Sequence, residues 1–229
     1  MTQKNLNKQL FFTTILLIAV IVLFQFSELD LLIQNNFYNL ETKNWLIDKE
    51  DQFFKLYFYD GPKNLLIILE VTILFSLILF RKKIITEYKK GLIIVFLSGI
   101  FVPLTIGTLK DITNTPCPSN VVNFGGIYPE IKVFDSYPKD FVQISKAKCW
   151  PAGHASGGFA LMSLYFLFKN PINRRIALFS SFILAWSMGN YKMLIGDHYI
   201  SHTIITMLFA WIIILIIVKF VSYIQNKNS

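Results

Sequence analysis

Long apolar stretches constrain this sequence more than any other feature. A soluble domain of 229 residues does not need so many apolar runs, whereas a helix that crosses a bilayer needs roughly 20 apolar residues. The chain is 54% hydrophobic and its mean hydropathy is +0.50. We therefore predict an all-α integral membrane protein, in which residues 1–229 form a single six-helix bundle. The predicted spans are, approximately, 10–26, 64–80, 91–109, 151–168, 176–195 and 199–218.

The charged residues between the apolar runs predict one orientation in the membrane. The net charge is +8, and the basic residues are concentrated at both termini and in the second and fourth connections. Cytoplasmic loops carry such an excess of lysine and arginine, so both termini are predicted to be cytoplasmic. No small-residue cleavage site follows the first run, which is read as an uncleaved anchor. Basic residues in short blocks between apolar runs argue against nucleic-acid binding, and no obligate protein partner is evident. The longer first and third connections are mixed in sign. The basic positions at the termini and in the second and fourth connections are Lys4, Lys8, Arg81, Lys82, Lys83, Lys89, Lys90, Lys169, Arg174, Arg175, Lys219 and Lys227.

All three histidines of the chain fall at the predicted outer face. His154 stands at the start of the fourth apolar run, and His198 and His202 stand at the start of the sixth. Lys110 and Lys192 end the third and fifth runs at the same face. Phosphate transfer needs cations, a nucleophile and an acid, and imidazole can supply the last two near neutral pH. The backbone amides near Gly153, at the start of a helix, add directed donors for an anion.

Three motifs in this order resemble the type 2 phosphatidic acid phosphatase superfamily. Its first motif is lysine, six residues and Arg-Pro; here Lys110 is followed by six residues and Cys117-Pro118. Its second motif is Pro-Ser-Gly-His, which reads Pro-Ala-Gly-His at 151–154. Its third motif is Ser-Arg, five residues, histidine, three residues and aspartate. Here Tyr-Lys at 191–192 is followed by His198 and His202 at those spacings.

The resemblance implies a role for each matching residue and no metal or other cofactor. His198 is expected to attack phosphorus, and His154 to protonate the leaving oxygen. Lys110 and Lys192 are expected to hold the phosphoryl oxygens. His202 stands where the family has the aspartate that orients the nucleophile; Asp197, next to His198, is a second candidate for that role.

Three further departures from the family pattern concern the phosphate ligands. Cys117 replaces the first-motif arginine, and Ala152 replaces the second-motif serine. Ser156, one helical turn further on, is a candidate substitute for that serine. Lys192 replaces an arginine and supplies a point charge without a bidentate fork.

The two cysteines of the chain, Cys117 and Cys149, fall in the same predicted outer loop. An external compartment permits a disulfide, and this one would tie the segment after Lys110 to the turn that carries His154. We predict that bond; two free thiols are the alternative.

Two other functions remain open from the residues alone. His198 and His202 share a helical face and, with His154, match a three-histidine zinc hydrolase, although two neighbouring lysines would serve no purpose beside a metal. A non-catalytic transporter or flippase would carry polar residues within its spans, and Glu70 is the main candidate.

A phosphatase site at an outer membrane surface favours an amphiphilic phosphate as substrate. The resemblance implies phosphatidic acid, phosphatidylglycerol phosphate, polyprenyl diphosphate or the phosphates of lipid A. Phosphotransfer to an acceptor other than water fits the same residues. The predicted location is the bacterial inner membrane, with the site on the periplasmic or external side.

Overall fold

The computed structural model describes residues 2–79 and 83–227, and this part of the chain is mostly helical. The basic residues Arg81 and Lys82 and the predicted end of the second span at residue 80 lie outside the described residues. The α-helices of the described part are α1 (Gln3–Gln25), α2 (Leu29–Gln34), α3 (Gln52–Lys55), α4 (Gly61–Leu79), α5 (Lys83–Thr113), α6 (Gly153–Ala160), α7 (Pro171–Leu194) and α8 (Ile200–Lys227). Two short strands, β1 (Tyr38–Asn39) and β2 (Asn44–Trp45), pair antiparallel in a small hairpin.

Side-chain caps start several of these helices where the sequence offers a suitable acceptor. The Asp51 carboxylate accepts from the amides of Phe53 and Phe54 at the start of α3. The Asn170 side chain accepts from the amide of Ile172, and Pro171 occupies the first position of α7. The side-chain caps satisfy amide donors that have no partner inside a helix, and the proline removes one such donor.

Four helical stretches of the described chain are long and apolar enough to cross a membrane. They are Gln3–Gln25, Gln52–Leu79, Glu87–Asn120 and Ile200–Lys227. The second joins α3 to α4 through a π-helical turn at Leu56–Asp60. These helices confirm the prediction of an all-helical membrane protein.

The predicted count of six spans is not confirmed. The fourth apolar run forms α6, only eight residues long, which continues as a 3₁₀ helix at Leu161–Phe166. The run predicted as the fifth span forms α7, which is 24 residues long but carries serines near its middle and polar residues near its end. Neither segment is a candidate span by length and hydropathy among the described residues.

Helix α8 is the centre of the bundle. It packs against α1, α5, α6 and α7, and residues such as Ala210 and Ile214 are fully buried. Helices α1 and α4, by contrast, expose most of their apolar side chains at the surface of the bundle. That distribution suits a bundle whose outer helices face lipid. The ends of α5, α6, α7 and α8 lie close together.

Close helix packing depends on glycine at one crossing. A Cβ added to Gly158 in α6 would lie 2.8 Å from the Cα of Ala185 in α7. Ala185 is fully buried, and its backbone cannot move aside without shifting α7. Gly158 therefore sets the distance between the helix that carries His154 and the helix that carries Lys192.

We expect Gly158→Ala to lower the stability of the purified protein by about 1–3 kcal/mol, because the added methyl group overpacks the crossing. The matched control is Gly107→Ala in α5, where an added Cβ meets nothing within 4 Å. The measurement is the thermal unfolding midpoint in detergent. Equal midpoints for the two variants would show that the crossing is not tightly packed.

Candidate active site

Three chain segments bring the histidines together at one end of the bundle. His154 is the second residue of α6, His202 lies in the first turn of α8, and His198 lies in the turn between α7 and α8. The amide of Ala152 donates to the carbonyl of His202 at 3.3 Å. The hydroxyl of Thr206 donates to the carbonyls of both Ala152 and His202. These bonds join the segment before α6 to the start of α8.

The imidazole of His198 lies between the other two. Its Nε2 is 3.3 Å from Nδ1 of His154, and its Nδ1 is 3.4 Å from Nδ1 of His202. The side chains of His198 and His202 are almost wholly buried. Which ring carries the proton in each contact depends on the tautomers. If His198 donates from Nδ1 to His202, its Nε2 keeps a free lone pair that faces His154.

The environment of His198 keeps its ring neutral. Burial lowers the pKa of His198 well below its ordinary value, and the imidazoles of His202 and His154 act in the same direction. A neutral ring at neutral pH is the form that a nitrogen nucleophile requires.

The two lysines that the sequence singled out both lie near His154. The Lys192 ammonium is buried, forms an ion pair with Asp197 at 2.8 Å, and lies 4.4 Å from the centre of the Tyr59 ring. Lys110 lies against Gly153: a Cβ added to Gly153 would be 3.3 Å from its Nζ. Glycine at this position thus leaves space for the Lys110 side chain.

The remaining predicted ligand, Ser156, faces its own helix. Its hydroxyl donates to the carbonyl of Gly153 at 2.6 Å. The structure therefore gathers every residue that the sequence predicted for the site, with Ser156 committed to the backbone at the helix start.

Three residues next to the site are Asp197, Lys49 and Tyr59. The sequence indicated Asp197 only as a second candidate and did not predict the other two. The Asp197 carboxylate binds two cations, Lys192 and Lys49, each at 2.8 Å. Burial opposes its ionisation, yet both lysines together hold the pKa of Asp197 below its ordinary value. The Tyr59 ring meets the His154 ring edge to face. Lys49 and Tyr59 lie far from the motifs in sequence, in the segment that precedes α4.

The predicted disulfide is present. Cys117 and Cys149 are bonded, with their Cα atoms 5.1 Å apart. The amide of Cys149 also donates to the carbonyl of Thr115 at 3.0 Å. The sulfur of Cys149 lies 3.5 Å from Nδ1 of His198, so the bridge forms part of the wall behind this imidazole.

The arrangement of the rings disfavours a three-histidine zinc site. His154 faces one nitrogen of His198 and His202 faces the other, so the three rings do not point to a common centre. Within residues 2–79 and 83–227, the group of potential ligand atoms close enough to share an ion is Cys149, His198 and His202. The sulfur of Cys149 is already committed to the disulfide.

A cavity of about 450 Å³ opens beside His154. Tyr59, Gly153, His154 and Ser156 form one end of the cavity, which is its polar end. From there it runs between α4 and α5, past mostly apolar side chains, to Glu70. An apolar cavity that begins at a cluster of histidines and lysines suits a molecule with a polar head and a hydrocarbon tail.

Comparison with known families agrees with this geometry. The family model described as the PAP2 superfamily matches residues 91–226, which is more than half of the chain and includes every motif residue from Lys110 to His202. This chain belongs to the PAP2 superfamily, and membership indicates a phosphatase that acts on lipid-like phosphates. No curated protein and no solved structure matches the chain significantly.

In protein purified without reductant, we expect Cys117 and Cys149 to resist alkylation until a reductant is added. The double variant Cys117→Ser/Cys149→Ser should lose about 3–4 kcal/mol of stability, the chain-entropy value for a closed loop of this length. Mass spectrometry of the alkylated protein and denaturant unfolding measure the two effects. Two freely alkylated thiols in the untreated wild type would contradict the bond.

Proposed function

We propose that this protein hydrolyses a phosphate monoester or diphosphate of a membrane lipid through a phosphohistidine intermediate. The observation that carries the proposal is the contact between Nε2 of His198 and Nδ1 of His154, at the polar end of an apolar cavity. Lys110 and Lys192 flank this pair. Two nitrogens so close together can reach one phosphorus atom and the oxygen that leaves it.

In the first proposed step, Nε2 of His198 attacks phosphorus and the bond from phosphorus to the lipid oxygen breaks. His154, protonated, donates its proton to that oxygen, so a lipid monoester leaves as a neutral alcohol and a lipid diphosphate leaves as its monophosphate. Lys110 and Lys192 balance the charge on the phosphoryl oxygens. The bound phosphate also favours the protonated form of His154, because an anion stabilises a neighbouring imidazolium.

In the second proposed step, water attacks the phosphohistidine while His154 accepts a proton from it. The bond from phosphorus to Nε2 breaks, inorganic phosphate leaves and His198 returns to its neutral form. His202 acts on His198 rather than on phosphorus, because it faces Nδ1, the nitrogen away from His154.

Further observations support a lipid substrate and an outer location. The cavity continues from His154 along apolar side chains of α4 and α5. The disulfide needs an oxidising compartment, and the distribution of lysine and arginine in the sequence favours cytoplasmic termini. We propose a bacterial inner-membrane enzyme with a periplasmic site. Candidate substrates are phosphatidic acid, phosphatidylglycerol phosphate, polyprenyl diphosphate and the phosphates of lipid A.

We expect His198→Ala to abolish phosphate release, because the variant lacks the proposed nucleophile. His154→Ala should lower turnover by about 10²–10⁴-fold, the usual contribution of a general acid. Lys146→Ala, which removes an exposed lysine from the segment between α5 and α6, is the control and should retain activity. Inorganic phosphate release from a panel of lipid phosphates in detergent measures all three.

Inhibitors separate this mechanism from a zinc hydrolase. Vanadate should inhibit the wild type, whereas EDTA should leave its activity unchanged. Near-normal turnover by His198→Ala, or loss of activity in EDTA alone, would overturn the phosphohistidine mechanism.

We expect His202→Asp to keep or raise activity. His202 contacts His198 through Nδ1, which is bonded to Cγ, and an aspartate Oδ1 is bonded to the same position. The carboxylate would therefore accept the same hydrogen bond and stabilise the cationic ring better. His202→Asn is the neutral control of matching shape, and His202→Ala removes the acceptor. A fully inactive but folded Asp variant would show that the imidazole does something that an acid cannot.

A further inference from the structure

The cavity beside His154 ends at an acidic side chain. Among its described lining residues Glu70 is the acidic one; it lies near the middle of α4, within a candidate membrane span. Its Oε2 atom is buried and has no hydrogen-bond partner among the described residues. No ion pair to Glu70 is formed within the described part of the chain. An acidic group within a membrane span costs free energy, and such residues usually have a function.

The neighbouring helix leaves room for this carboxyl group. A Cβ on Gly99 of α5 would overlap the carboxyl oxygens of Glu70, so any other residue at that position would displace them. Gly99 and Glu70 both line the cavity. The carboxyl group is therefore held against α5 and borders the cavity.

Two helices give the same distance from Glu70 to the phosphate site. Glu70 follows Tyr59 by 11 residues along the second membrane-spanning stretch, and Gly99 precedes Lys110 by 11 residues along α5. At 1.5 Å per residue each interval is about 16 Å. A lipid whose phosphate lies at His198 and whose hydrocarbon follows the cavity would pass Glu70 at that distance.

We propose that Glu70 is a specificity-determining residue that accepts a hydrogen bond from a hydroxyl or amide N–H in the hydrophobic part of the lipid substrate. The inference rests on the proposed phosphatase function. A neutral donor fits better than a cation, because the rest of this part of the cavity is apolar and would not solvate a second charge. The ligand class is thus a lipid phosphate with a polar donor about 16 Å from phosphorus, measured along α4 or α5.

The test uses synthetic phosphatidic acids in detergent micelles. One has plain acyl chains, and the others carry one hydroxyl at successive positions along a chain. Phosphate release gives kcat/KM for the wild type, for Glu70→Leu, for Glu70→Gln and for Gly99→Ala. Gly107→Ala, the α5 position with open space around its Cα, is the matched control.

We expect the wild type to prefer one hydroxyl position over the plain lipid by about tenfold, the usual effect of a hydrogen bond to a charged or buried acceptor. Glu70→Leu and Gly99→Ala should lose this preference, so that their kcat/KM values for the hydroxylated and the plain lipid become equal. Glu70→Gln, which keeps a hydrogen-bond acceptor, should retain part of the preference for the hydroxylated lipid. Gly107→Ala should retain all of this preference.

Each other result overturns the inference. No preference at any hydroxyl position, or the same preference in Glu70→Leu, overturns it and leaves the phosphatase function standing. Equal losses on the plain and hydroxylated lipids would mean that Glu70 has only a structural role. If the wild type releases phosphate from no lipid at all, the proposed function and this inference fall together.

Discussion

The ion pair between Lys192 and Asp197 organises the turn that carries His198. The two charged groups are 2.8 Å apart, and their side chains are 8% and 13% exposed. The same lysine accepts, at its backbone carbonyl, hydrogen bonds from the amides of Asp197 and His198. Burial of two charges is costly, and removal of one partner leaves the other uncompensated. The pair therefore contributes more to the position of the turn than to stability, since it joins the end of α7 to the residue next to the proposed nucleophile.

The segment between α1 and α4 covers this turn. Gly196 has a φ of +75°, a conformation that favours glycine, and the Trp45 ring lies directly on it. The buried side chain of Gln34 donates to the carbonyl of Met193 at 2.8 Å. The residues that make these contacts, like Tyr59 and Glu70, all precede position 91, where the family match begins. The matched region thus carries the motif residues, and the preceding part of the chain covers them and shapes the cavity.

The sequence predicted those features that depend on local pattern, and it missed those that depend on helix register. Three motifs in order were sufficient for the family, and long apolar runs for a helical membrane protein. The disulfide followed from two cysteines in one outer loop. The six-span count is not confirmed, because α6 is short and α7 carries polar residues that hydropathy counts against a span. Glu70 opposite Gly99 could not be predicted, because it depends on how α4 and α5 align. The roles of the histidines stay predictions.

The loss of the family arginine at Cys117 changes the charge balance of the proposed site. Lys110 and Lys192 carry two positive charges, but Asp197 already neutralises Lys192 in the structure. A phosphate dianion that drew Lys192 away would leave that carboxylate unpaired, were it not for Lys49. Lys49 binds the other oxygen of Asp197 and is far more exposed, with 60% of its side chain accessible. Because Lys49 can continue to bind the carboxylate, Lys192 can turn from Asp197 to phosphate without leaving a buried charge alone. A lysine from the segment between α1 and α4 would thereby support the proposed substrate-binding lysine without contacting the substrate.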